Sequence, residues 1–61
     1  MKDYAIGDTI VYWSGSRRVV LVDEKEEDIK NGSPGFGGTI IEGPDTGMSV
    51  WGYDSQIEEV L

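Results

Sequence analysis

The side chains able to do chemistry crowd into one place. The stretch "DEKEED", residues 23–28, holds Asp23, Glu24, Glu26, Glu27 and Asp28, five carboxylates in six positions. Grouped carboxylates can coordinate a hard cation, exchange protons in catalysis, or attract a basic partner. A calcium loop of the EF-hand type needs alternating oxygen ligands, then a glycine, then a closing glutamate. Counting from Asp23 puts Lys25 at the third position and Asp28 where the glycine should be; counting from Asp28 puts Lys30 at the third position. Both registers fail, so no metal site is expected.

Catalysis finds no better footing. The chain has no histidine and no cysteine, so Ser14, Ser16, Ser33, Ser49 and Ser55 have no imidazole to activate them and no thiolate is present. Nothing in the spacing sets two carboxylates against each other across a pocket. The glycines of "GSPGFGG", residues 32–38, match neither a dinucleotide fingerprint nor a P-loop, and no lysine or serine follows them to engage phosphate. They are better suited to tight turns and close backbone approach. A non-enzymatic protein without a cofactor is expected.

Attraction of a basic partner remains, and bulk charge favours it. Twelve acidic residues against five basic ones leave a net charge of −7 on 61 residues. Such a surface repels nucleic-acid backbones and draws in cationic proteins. The aromatic residues supply the other half of a contact surface. Alternation along "VWGY" puts Trp51 and Tyr53 on one face and Val50 on the other, and Phe36 lies within the glycine-rich stretch. Rings as anchors with carboxylates as steering charge are the composition of a protein-binding hot spot. Phe36, Trp51 and Tyr53 are therefore the expected anchors, and the five acids of 23–28 the expected steering groups. Arg17 and Arg18, with Trp13 to stack on a base, define the alternative of a nucleic-acid contact. Cross-strand pairing of both arginines with nearby acids is the simpler expectation.

The elements that must position these groups read as short strands. "TIVYW" (9–13) and "RRVVLV" (17–22) flank "SGS" and form a hairpin. "GTIIE" (38–42) and "MSVWGY" (48–53) flank "GPDTG" and form a second. "IEEVL" (57–61) is a last strand, and "YDSQ" before it suits one 3-10 turn. The first two strands are apolar on both alternating faces, which in so small a protein predicts a sheet closed into a small barrel. Between the second and third strands, residues 24–38 exceed the usual connection of about 4–6 residues. Their first half is rich in helix formers, so a helical turn over 24–30 is expected, ended near Asn31-Gly32. Ile29 and Phe36 would fasten this acidic loop to the barrel. The expected fold is all-β, one domain over residues 1–61.

The "IGDTIVY" opening, the long connection after the second strand, the tight hairpin and the 3-10-like turn resemble an SH3-like small barrel, in particular its KOW and Tudor-type members. The resemblance covers nearly the whole chain and implies a five-stranded barrel with β-strands as its only long elements. The peptide-binding SH3 branch carries an "ALYDY"-type motif and a proline–tyrosine pair in the last 3-10 turn. This chain has "KDYAIGD" and "YDSQ" there, which argues against a proline-rich ligand. KOW members bind through basic loops, whereas the corresponding loop here is acidic. "DIKNGSPGFGG" and "VWGYDSQI" are also similar to short actinobacterial and actinophage proteins, a likeness that implies no activity.

The expectation is thus an adaptor or regulator, of phage type in one version, that meets a basic protein and is a monomer or weak homo-oligomer. The alternatives are a KOW- or Tudor-like nucleic-acid module and a small barrel that self-assembles by edge pairing. "MKDYAIGD" lacks the apolar core of a secretory signal, and no run nears the ~20 apolar residues of a membrane span. A cytoplasmic protein is expected.

Overall fold

A computed structural model describes residues 3–61. Five strands follow in chain order: β1 (Thr9–Trp13), β2 (Arg17–Lys30), β3 (Ser33–Glu42), β4 (Ser49–Tyr53) and β5 (Ile57–Val60). A 3-10 turn, Asp54–Gln56, joins the last two. All neighbouring strands are antiparallel, in the order β4-β3-β2-β1-β5. The architecture is all-β, with no α-helix among the described residues. β4 and β5 are the two edges and no ladder joins them, so the sheet is open where a closed barrel was expected.

The acidic connection is the principal correction. Residues 24–38 form neither a loop nor a helical turn. β2 runs unbroken through "DEKEEDIK" to Lys30, and β3 begins at Ser33. The two strands make a long β-ribbon closed by Asn31 and Gly32, both at positive φ (56° and 77°). Asn-Gly suits that two-residue turn because its twist matches the strands on either side. Asp28 holds the tip by accepting the Gly32 N–H at 2.7 Å. Helix propensity in the acidic run is worth only a few tenths of a kcal/mol per residue, and pairing along β3 overrides it.

The core lies on one face of the sheet. Tyr4, Ile10, Tyr12, Val20, Val22, Phe36 and Ile40 form a buried cluster, with Val50, Ile57 and Val60 packed against it. Phe36 sits at its centre, with the rings of Tyr4 and Tyr12 edge-on at 6.2 and 5.2 Å. A side chain at Gly52 would meet the Phe36 ring at 2.9 Å, so the glycine makes room for it. On the other face Val11 and Val19 are buried, whereas Trp13 and Leu21 of the same alternation are about half exposed, so the two-sided apolar pattern is only partly buried.

Side chains tie the ends of the chain to this framework. The Tyr4 hydroxyl reaches the Gly35 carbonyl at 3.1 Å and the Asp54 carboxylate at 2.5 Å. Gln56 accepts the Tyr53 N–H through Oε1 at 2.9 Å and donates through Nε2 to the Trp13 carbonyl at 3.0 Å. The 3-10 turn is thereby bonded to both β4 and β1.

Candidate functional site

The long ribbon brings the acids and the exposed rings onto one face. Adjacent positions in the ladders run Glu24–Gly37–Trp51 and Glu26–Gly35–Tyr53. Directly opposed residues in a sheet share a face, so Glu24 and Glu26 lie on the side of Trp51 and Tyr53. Between them stand two glycines. Without a side chain at Gly37, β3 floors a groove there instead of filling it. Asp23, Glu24, Gly37, Gly38, Ser49, Val50 and Trp51 line that groove, whose volume is about 270 Å³. Ile29 lies over Gly35, close enough that a side chain there could not fit, so the ladder is covered at that position.

Trp51 is half exposed, and its ring meets that of Tyr53 edge-on at 5.5 Å. The Lys30 ammonium sits 5.9 Å from the centre of the Trp51 ring, within range of a cation–π attraction. The indole on β4 therefore already faces one cation, from the end of β2. Lys25 turns to the opposite side, donating to the Tyr4 carbonyl at 2.6 Å and lying 4.5 Å over the Tyr4 ring. Both lysines of the ribbon are thus engaged away from the carboxylates between them. Among the described residues, the ion pairs are Arg17–Glu42 at 3.7 Å and Arg18–Asp45 at 3.8 Å, and none involves residues 23–28.

The expected site residues divide accordingly. Asp23 and Glu24 line the groove, Glu26 flanks it, and Glu27 is exposed on the ribbon. Asp28 is committed to the hairpin turn. Trp51 and Tyr53 stand together, Tyr53 half-buried. Phe36 is fully buried, and a ring that anchors the core offers a partner no surface. Gly35 and Gly37 were not singled out by sequence, although their alternation around Phe36 is the period of a strand whose one face is bare. Arg17 and Arg18 pair with acids, as their positions beside the first turn led one to expect.

A second groove, of about 370 Å³, is lined by Tyr12, Ser14, Arg18, Ile40, Asp45 and Met48 among others. Arg18 spans it, donating to the Ser14 and Ser16 carbonyls at 2.6 and 3.3 Å as well as facing Asp45. Its charges are internally matched, unlike those of the first groove.

Burial raises the pKa of Tyr12, and burial together with the Asp54 carboxylate raises that of Tyr4 further. The Tyr4 hydroxyl is bonded to Gly35 and Asp54, and Tyr12 lines the second groove. Among the described residues no three acids converge as a metal cluster would. No helix among them is long and apolar enough to cross a membrane. Comparison of the chain with models of protein families, with curated proteins and with solved structures gave no match.

Proposed function

We propose that this chain is a small SH3-like protein-binding module, non-enzymatic and without a cofactor, whose acidic and aromatic face receives a basic protein. The observation that carries the reading is the glycine-floored groove between unpaired carboxylates and a half-exposed indole. Unpaired acids at the rim attract a cationic side chain from a distance, and the ring gives it a surface on which to settle. Strand order β4-β3-β2-β1-β5, with a 3-10 turn between the last two strands, supports the SH3-like assignment. An adaptor or a regulator of phage type that works inside the cell fits the same chemistry.

The nucleic-acid alternative is weaker, because Arg17 and Arg18 are already paired with Glu42 and Asp45. Self-assembly through the edges β4 and β5 is the remaining alternative, and it should show as a mass that grows with concentration.

Titration with oligolysine tests the reading, following Trp51 fluorescence in a Trp13→Phe background. A saturable change that disappears at high salt, and in a Glu24→Gln/Glu26→Gln variant, supports it. No change, or one that survives neutralisation of both acids, overturns it.

A further inference from the structure

The ribbon has an unusual asymmetry. β2 is 14 residues long, whereas its neighbour β1 has five. β1 pairs with β2 only over residues 17–21. At Val22 the cover ends: its N–H donates to the Asp8 carbonyl at 3.0 Å and its carbonyl accepts the Gly7 N–H at 2.8 Å. From Asp23 onward β2 is paired on the β3 side alone, and no other described residue makes a backbone hydrogen bond to it. A row of peptide groups along that edge faces outward, and such an edge is a template for another strand.

We propose that this edge, centred on residues 24–26, takes up an extended cationic segment of a partner as an added β-strand. The inference rests on the basic-partner reading above and specifies how that partner is held. Charge decides the occupant. A second copy pairing here would set acids against acids, and like charges directly opposed destabilise a sheet. An extended segment with lysine or arginine at alternate positions reverses the sign at each contact. Alternation also places its cations beside Glu24 and Glu26, on the face of the sheet that carries the groove, with β2 between the added strand and the groove itself. The register shifts between Val22 and Glu24 and between Glu26 and Lys30 bound the regular stretch, so the added strand is short. The same carboxylates thus repel one class of strand and admit another.

Backbone chemistry separates strand addition from plain charge attraction. The probe is a capped heptapeptide alternating lysine and threonine, compared with two isomers N-methylated on the lysine or on the threonine nitrogens. All three carry the same charge, but each methylated form loses the donors of one peptide edge. Strand addition predicts that one isomer binds at least ten-fold more weakly while the other stays close to the parent, and that the parent slows amide exchange within residues 24–26. Equal binding by all three, with no added protection, overturns strand addition and leaves the acidic face standing. Binding by none of the three overturns both.

Discussion

The hydroxyl of Tyr4 lies 2.5 Å from the carboxylate of Asp54, residues from opposite ends of the chain. The same hydroxyl is 3.1 Å from the Gly35 carbonyl on β3. One buried tyrosine thus fastens the segment before β1 to β3 and to the 3-10 turn. Tyr4→Phe removes the hydroxyl and keeps the ring, leaving Gly35 and Asp54 without that partner. A hydrogen bond to a charged group contributes about 1.5–3 kcal/mol, so the variant should lose stability of that order in urea denaturation.

The two buried tyrosines make stability sensitive to alkali. Their folded-state pKa values are raised above the ordinary tyrosine value, so the folded state holds the protons more tightly than the unfolded chain. Their contribution is fully present below the unfolded value of about 10 and is lost as pH climbs from there toward the folded values. The midpoint of urea unfolding should fall above about pH 10, and fall less steeply in Tyr4→Phe. An unchanged slope in that variant would mean that the Tyr4 proton is not linked to folding.

Gly52→Ala tests the packing of Phe36. The added methyl would meet the Phe36 ring at 2.9 Å and the Gln56 side-chain oxygen at 3.1 Å. Overpacking of this kind costs about 1–3 kcal/mol. Thermal melting should show the loss, and the Gln56 bond to the Tyr53 N–H should weaken with it.

Neutralising Glu24, Glu26 and Glu27 to glutamine should leave the fold intact or slightly firmer, because the three acids have no ion pair to lose. Replacing them with threonine should have a further effect. Threonine favours strands and removes the like-charge barrier, so the open edge of β2 should begin to pair between copies. Sedimentation velocity should show association for the threonine variant and not for the wild type.

The first hairpin, the second turn and the 3-10 turn were legible in the sequence because each depends on local chemistry. Gly15, Pro44 with Gly47, and the short "YDSQ" link fix their own geometry. The ribbon was not legible, since the acidic run has helix propensity and its strand character comes from pairing with a segment across the turn. Asn31-Gly32 is the local signal for it, and the same pair also suits the stop of a helix. Of the candidate site, the acids and Trp51 with Tyr53 were visible, whereas the groove beside them depends on Gly37, which gains meaning only from register. Phe36 has two expected roles, fastening the acidic segment and anchoring a partner; buried at the centre of the core against Gly52, it is placed for the first and not for the second.

The most direct test of the account is capture of a partner from nuclease-treated lysate of the source cell. Wild type is compared with the Glu24→Gln/Glu26→Gln/Glu27→Gln variant and with Trp51→Ala, each at low and high salt. Trp51 is half exposed, so its truncation should cost the fold only about 1 kcal/mol, mainly from the lost contact with Tyr53. The account predicts one basic protein held by wild type at low salt, released at high salt, and lost from both variants. Equal capture by all three, or capture only by the neutralised form, would contradict it.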